Sequence, residues 1–224
     1  MLKPEQIKIM RENWNFSFVH LMYEWEDITK VSKVVLDRIH KYINEEYTNS
    51  ESVRFSFLKQ GRSLGFFIHS VTNGTGKTTL LHLIAKTLLD KNLINKKLLY
   101  VTGLEIFYEL KKSFSNNGGL NESDILENMM SCDVLFIDDL DKIGTLSEYE
   151  KKRFTLIIDK RYTNLKPVMI TANKSISEMS KDGQLEPHIF SRLSQMCEEI
   201  EVTGEDFRLQ GKIKLQLKER KKFV

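Results

Sequence analysis

One stretch, residues 66–79, constrains the fold of this chain more than any other. It consists of an apolar run, a turn with two glycines and the start of an apolar helical segment, Phe-Phe-Ile-His-Ser-Val-Thr-Asn-Gly-Thr-Gly-Lys-Thr-Thr. The first amides of a helix have no internal partner, and the helix dipole adds partial positive charge at that end. A strand that ends in a glycine turn at a helix N-terminus therefore predicts a phosphate cradle within an α/β fold.

The cradle matches the pattern Gly-x-x-x-x-Gly-Lys-[Ser/Thr] with one departure, because Val71 stands at the first glycine position. Glycines allow the main chain to wrap an anion without a Cβ in the way. Lys77 is expected to reach the β- and γ-phosphates, and the Thr78 hydroxyl is expected to hold Mg²⁺. A chance Gly-Lys-Thr in a surface turn would not require the strand before it and the helix after it. The predicted nucleotide-binding residues are Asn73, Gly74, Thr75, Gly76, Lys77, Thr78 and Thr79.

Length, charge and cysteine content set broad limits. The 224 residues correspond to one large domain, or to one domain with a small appendage. The net charge of +3 is too small to require a nucleic-acid partner and does not exclude one. Cys132 and Cys197 match no metal-binding spacing and favour a reducing environment. No run approaches the roughly 20 apolar residues that span a bilayer, so we expect a cytoplasmic protein without a membrane partner.

Strand-like and helix-like segments alternate from a polar break at residues 48–52 to about residue 203. Apolar residues at helical spacing also predict a helix within residues 30–47. Three Ser/Thr-x-x-Glu pairs predict helix starts, namely Thr102 with Glu105, Ser147 with Glu150 and Ser175 with Glu178. The predicted strands of a parallel sheet with covered faces lie at 66–68, within 97–101, at 134–137, 168–170 and 198–202.

Two acids, Asp138 and Asp139, follow the apolar run 134–137 and form a Walker B candidate. Asp138 would bind Mg²⁺ through water beside Thr78. Asp139 would orient and polarise the attacking water. Another strand separates the two motif strands in sequence. That layout indicates a P-loop ATPase with an added strand and a catalytic acid, rather than a simple nucleotide kinase.

Two later residues have both a functional and a structural interpretation. Asn173 ends the next strand, where ligands of open α/β sheets lie, so its side chain would point at the γ-phosphate and the attacking water. The alternative is a turn-forming asparagine. Arg192 could neutralise charge on the γ-phosphate bound by a neighbouring subunit, or it could form a surface salt bridge.

The terminal regions leave alternatives open. The aromatic segment 14–25 is either a strap packed on the domain, which we favour, or a docking element for a partner. Lys111, Lys112 and the basic tail after residue 211 could bind DNA phosphates, although for the tail we favour a solvated terminus. The pattern of residues 207–217 does not distinguish an edge strand from a helix.

Together, these motifs resemble the DnaC/DnaI/IstB-like helicase-loader group of AAA+ ATPases. The resemblance covers about residues 35–210. Its matching stretches are residues 72–78, 97–102, 134–140, 156–162, 167–173, 191–193 and 202–208.

The resemblance implies a three-layer α/β/α P-loop NTPase of AAA+ type, with a parallel five-stranded sheet, an N-terminal helical segment and no separate lid domain. It implies an ATP and Mg²⁺ site in which Arg208 takes a sensor-2-like position. It also implies self-association through AAA+ interfaces, with a replicative hexameric helicase and single-stranded DNA as partners. The expected division is an N-terminal segment at 1–50, an ATPase domain at 51–210 and a basic tail at 211–224.

Three departures from the family pattern modify these expectations. Val71 replaces a glycine of the cradle, and Asp139 stands where many AAA+ proteins have glutamate. Only about 50 residues precede the domain, fewer than loaders of this family usually carry. We therefore expect slow ATP hydrolysis that a partner or DNA stimulates. The alternatives are an IstB-like transposition helper, a nucleotide-gated adaptor with little hydrolysis and a small-molecule P-loop kinase.

Overall fold

The computed structural model of this chain describes residues 16, 20, 23–28, 31–48, 50–91, 97–113, 121–204 and 206. A parallel five-stranded sheet forms its centre, with the strand order β2-β3-β4-β1-β5. The strands are Gly65–His69 (β1), Leu98–Thr102 (β2), Val134–Asp138 (β3), Val168–Ala172 (β4) and Cys197–Glu201 (β5). This sheet confirms the predicted fold class. The two motif strands, β1 and β3, are separated in sequence by β2 and in the sheet by β4.

Eight α-helices connect or flank these strands within the described residues. Their bounds are Lys33–Lys41 (α1), Glu51–Lys59 (α2), Lys77–Asp90 (α3), Gly103–Lys112 (α4), Glu122–Ser131 (α5), Glu148–Thr163 (α6), Ile176–Lys181 (α7) and Pro187–Met196 (α8). The three predicted capping boxes open α4, α6 and α7, each with both reciprocal hydrogen bonds. A π-helical turn, Tyr42–Glu46, follows α1, so the helix predicted within 30–47 has two parts.

Both faces of the sheet are covered, which produces three layers. In β1, Phe66 and Ile68 pack on the side of α3, whereas Phe67 packs on the opposite side with α4 to α8. Strands buried on both faces consist of nearly continuous apolar residues, as in the Val134–Ile137 run. α3 is buried along most of its length, because apolar residues occupy almost its whole circumference.

The N-terminal part of the chain contributes to the same core. Ile39, Tyr42 and Ile43 pack with Phe66, and Phe16 is only 3% exposed among residues of α3 and β3. Trp25 donates a hydrogen bond from Nε1 to Thr87 Oγ1 of α3 at 3.0 Å. The described residues of segment 14–25 therefore pack on the domain, as the strap interpretation predicts.

Several predictions concern residues outside the described ones. They include the structure of 207–217, the basic tail and the absence of a separate lid domain. No helix in the described part of the chain combines the length and apolarity that crossing a membrane requires.

Candidate nucleotide-binding site

The predicted site residues meet at the carboxyl edge of the sheet. In the strand register Thr102 pairs with Asp138, and His69 pairs with Ala172. The phosphate loop therefore begins beside the ends of β3 and β4, where ligands of open α/β sheets bind.

The loop after β1 has the backbone conformation of an anion cradle. Gly74 and Gly76 have φ angles of +71° and +93°, values that favour glycine, and α3 begins at Lys77 directly after Gly76. A Cβ on Gly74 would also overlap the carboxylate of Asp206. The N-terminal amides of α3 point into this loop, so the geometry fits a phosphate group.

Val71 is accommodated without disturbing the cradle. Its side chain is 77% exposed, so it points away from the packed domain. Among described residues other than glycine, positive φ occurs only at Asp139 and Leu165. Position 71 therefore does not use the backbone freedom that glycine would supply.

The Lys77 side chain lies beneath the loop and is only 6% exposed. Its Nζ donates to Ser70 O at 3.4 Å, Thr72 O at 3.3 Å and Asn173 Oδ1 at 3.0 Å. Burial lowers the pKa of Lys77, whereas the carboxylates of Asp139, Asp141 and Asp138 favour its charged form. An anion in the cradle would supply a further partner for this ammonium group.

Asp138 is 4% exposed and accepts hydrogen bonds from three hydroxyl groups. Thr78 Oγ1 lies 2.9 and 3.1 Å from its two carboxylate oxygens, and Tyr100 Oη lies 2.7 Å from Oδ2. Thr171 Oγ1 donates to Oδ1. The Thr78 hydroxyl and this carboxylate are oxygen ligands of the kind that Mg²⁺ prefers, so the pair fits that ion.

Asp139 and Asn173 lie beside Lys77, and the 3₁₀ turn Leu140–Ile143 contacts both. Asp139 has a left-handed backbone with φ of 53°, and its carboxylate forms an ion pair with Lys142. Asn173 donates from its backbone N to Asp141 Oδ1 at 2.8 Å and from Nδ2 to Asp141 Oδ2 at 3.0 Å. The catalytic acid and the sensor predicted from sequence thus both have partners from this turn.

The other predicted residues lie elsewhere. Arg192, on α8, forms an ion pair with Asp159 of α6, and its guanidinium lies 5.7 Å from the centre of the Tyr162 ring. It contacts no residue of the described phosphate loop in this chain, so a finger role would require a second subunit. Asn73 is exposed, Thr75 is buried, and Arg208 lies outside the described residues.

An aromatic cluster connects the N-terminal strap to the Thr78 and Asp138 pair. The Phe16 ring lies 5.1 Å from the Tyr100 ring and 5.2 Å from the His82 ring, measured between centroids. His20 Nδ1 and Thr79 Oγ1 share a hydrogen bond at 3.2 Å. Burial lowers the pKa of His82 to about 3, so the ring is neutral when it donates from Nδ1 to Thr78 O at 2.8 Å.

Sequence reasoning missed Tyr100, Asp141, Lys142 and Thr171 as members of the site. Asp141 and Lys142 lie in the turn after β3 and Thr171 lies near the end of β4, whereas Tyr100 is the central residue of β2. Tyr100 and Asp138 are 38 positions apart, and Asp141 and Asn173 are 32 apart. Neither contact has a local spacing pattern, so only the sheet register brings these pairs together.

Comparison with known proteins supports the resemblance noted from sequence. The family model described as IstB-like ATP binding protein matches residues 51–215. The replicative helicase loader DnaC of Escherichia coli (strain K12) is 33% identical over 119 residues, which are 53% of this chain and 46% of that protein. The chain thus spans about half the length of the curated relatives it matches.

Solved structures show the same fold. A crystal structure of DnaI has a TM-score of 0.62 at 22% identity, covering 85% of this chain and 93% of that one. A crystal structure of the DnaC helicase loader has a TM-score of 0.57 at 22% identity, covering 76% and 89%. AMPPCP-bound DnaA from Aquifex aeolicus has a TM-score of 0.60 at 16% identity, covering 85% and 53%.

Proposed function

The chain belongs to the family of IstB-like ATP binding proteins, and from that premise we propose that it is an ATPase that loads a replicative helicase. The observation that carries the ATPase proposal is the contact of Thr78 with Asp138 beside the buried Lys77, at the N-terminus of α3. Lys77 and Thr78 come from the first turn of α3 and Asp138 from the end of β3, and together they fit a nucleoside triphosphate with its divalent cation.

Each residue would act through its charge and position. Lys77 and the amides of α3 would bind the β- and γ-phosphates, and Thr78 with Asp138 would hold Mg²⁺. Bound Mg²⁺ supplies charge neutralisation across the β- and γ-phosphates. Asp139 would accept a hydrogen bond from the attacking water after leaving Lys142, and Asn173 would contact the γ-phosphate. Arg208 would complete the site from the C-terminal side.

The partner proposal follows from the relatives. The curated matches are replicative helicase loaders, which supports a hexameric helicase as the partner. We further propose that the chain self-associates, so that Arg192 reaches the γ-phosphate bound by a neighbouring subunit, and that it binds single-stranded DNA. An IstB-like transposition helper would use the same site, and the name of the matched family supports that alternative.

Nucleotide binding is tested most directly by Lys77→Ala. Loss of its ammonium should lower the affinity for ATP with Mg²⁺ at least about 100-fold, since a charge-assisted contact and its field are both removed. The matched control is Lys86→Ala, because Lys86 is also buried on α3 but pairs with Glu24 at 2.6 Å, away from the loop. Retained ATP affinity in Lys77→Ala would refute the cradle assignment.

Hydrolysis and partner choice need separate measurements. Asp139→Asn should lower the ATP turnover without preventing ATP binding. The ion pair of Asp139 with Lys142 favours a second candidate, a nucleotide-gated adaptor. Equal and negligible turnover in wild type and Asp139→Asn, with ATP still bound, would select the adaptor.

Capture of a purified replicative helicase tests the loader proposal, together with ATPase measurements with and without single-stranded DNA. Failure of the protein to bind the helicase in any nucleotide state would refute it.

A further inference from the structure

The orientation of the Asn173 side-chain amide is fixed by its two neighbours. Lys77 Nζ lies 3.0 Å from Asn173 Oδ1, and Asp141 Oδ2 lies 3.0 Å from Asn173 Nδ2. An ammonium group only donates and a carboxylate only accepts. The reversed amide would set donor against donor and acceptor against acceptor. The amide oxygen therefore faces the phosphate loop, and the amide nitrogen faces Asp141.

Asp141 is itself held in place on three sides. Its Oδ1 accepts from the backbone N–H of Asn173 at 2.8 Å, so both carboxylate oxygens contact the same residue. Its backbone oxygen accepts from Gln184 Nε2 at 2.9 Å. The preceding residue, Leu140, is fully buried. The two-point contact with Asn173 is therefore rigid, and it restricts rotation of the amide.

We propose that Asp141 is a positioning residue that turns the acceptor oxygen of Asn173 toward the nucleotide and so weakens the discrimination between ATP and ADP. The proposal rests on the proposed function, because it places Asn173 at the γ-phosphate. The oxygens of a γ-phosphate accept hydrogen bonds, so they compete with Asp141 for the N–H groups of Asn173. ADP has no γ-phosphate, so this competition affects ATP alone.

The test compares two substitutions. For each one we measure the affinity for a non-hydrolysable ATP analogue divided by the affinity for ADP, both with Mg²⁺. In Asp141→Asn the new amide can donate to Asn173 Oδ1, which favours the reversed orientation with N–H groups facing the γ-phosphate. We expect this ratio to rise roughly three- to tenfold, the equivalent of one net hydrogen bond. Asp141→Ala releases Asn173 without reversing it, so its rise should be smaller.

Loss of a negative charge alone could favour the more highly charged analogue. Both substitutions remove that charge, so equal ratios in Asp141→Asn and Asp141→Ala would overturn the proposal. Repeating them in an Asn173→Ala background preserves the charge effect and removes the orientation effect. We expect the difference between the two substitutions to vanish there, and its persistence would also overturn the proposal.

Asp133→Asn is the matched control for a structural effect. Asp133 Oδ2 accepts from the backbone N of Lys97 at 3.1 Å, but it lies before β3 at the opposite end of the sheet. Its substitution should change the affinity ratio less than about twofold. A change as large as that of Asp141→Asn would show that the ratio reports general loosening of the fold.

A measurement on the wild type keeps the proposal testable if the variants fold poorly. The NMR signals of the Asn173 side-chain amide, assigned by their absence in Asn173→Ala, should shift more with the ATP analogue than with ADP, because only the analogue places a γ-phosphate beside this amide. Equal shifts with both nucleotides would overturn the positioning role. Failure of wild type to bind either nucleotide would instead refute the proposed function itself.

Discussion

The Tyr100 hydroxyl should contribute measurably both to the free energy of unfolding and to the affinity for Mg²⁺. Tyr100→Phe removes one oxygen and preserves the ring that packs against Phe16. The lost bond is a buried one to the carboxylate of Asp138 at 2.7 Å, and hydrogen bonds to charged groups contribute about 1.5–3 kcal/mol. Thr78 and Thr171 remain as donors to Asp138, so we expect the free energy of unfolding to fall by about 2 kcal/mol.

Tyr42→Phe is the matched control for this change. Tyr42 is also buried in the core on the α3 side of the sheet, and its hydroxyl donates to the neutral backbone oxygen of Leu64. Its loss should lower the free energy of unfolding by about 1 kcal/mol. Denaturant titration of both variants without nucleotide gives the two values directly.

Mg²⁺ dependence separates the two tyrosines more sharply. Partners outside the ligand shell orient metal ligands, and their loss typically lowers metal affinity about 10–100-fold. Tyr100→Phe should therefore raise the Mg²⁺ concentration needed for half-maximal ATP binding by about tenfold, whereas Tyr42→Phe should leave it within about twofold of wild type. Equal Mg²⁺ requirements in the two variants would refute the view that Tyr100 holds Asp138 for the cation.

Two further predictions concern His82 and Arg192. Burial lowers the pKa of His82 from 6.5 to about 3. The contribution of the neutral ring to the free energy of unfolding is therefore complete above pH 6.5 and is lost as the pH falls toward 3. Between pH 7 and pH 5 the free energy of unfolding of wild type should fall by about 2 kcal/mol for this reason, and that of His82→Asn should not. Denaturant titrations at both pH values measure this, and an equal fall in the two proteins would contradict the assignment. Arg192→Ala removes a partly exposed ion pair and should change the free energy of unfolding by less than about 1 kcal/mol. If Arg192 acts across subunits, Arg192→Ala should lose at least about 100-fold in ATP turnover and regain turnover when mixed with Lys77→Ala. Arg153→Ala is the control, because Arg153 also forms a partly exposed ion pair, with Glu122, and its loss should leave turnover unchanged. Absence of rescue in the mixture would argue against a finger.

The predictable part of the structure is the part with local signals. Strands β1 to β4 follow from apolar runs bounded by polar residues, and helix starts follow from pairs such as Thr102 with Glu105. The left-handed turns of Gly74 and Gly76 and the burial of Lys77 also follow from one contiguous motif. These features are short in sequence, so residue type and spacing determine them with little help from the rest of the chain.

The unpredicted part depends on contacts between distant elements. Asp141 has no pattern that distinguishes it from an exposed acid in a turn, and only the neighbouring positions of β3 and β4 bring it to Asn173. Tyr100 likewise has the character of an ordinary strand residue until the register sets it beside Asp138. The ion pair of Asp139 with Lys142 is local, but its effect on catalysis depends on the surrounding site.

The packing of α1 and of the π-helical turn after it matters for anyone dividing or recombining this protein. The family match begins at residue 51, yet Ile39, Tyr42 and Ile43 are buried against the sheet. Burial of each such side chain is worth about 1.5–3 kcal/mol, and the sum is comparable to the whole stability of many domains, about 5–15 kcal/mol. A fragment cut where similarity starts would leave an apolar face open to water and to aggregation. The cooperative folding unit therefore begins before the segment that the family model matches. A chimaera that exchanges ATPase domains should carry residues 31–47 with them.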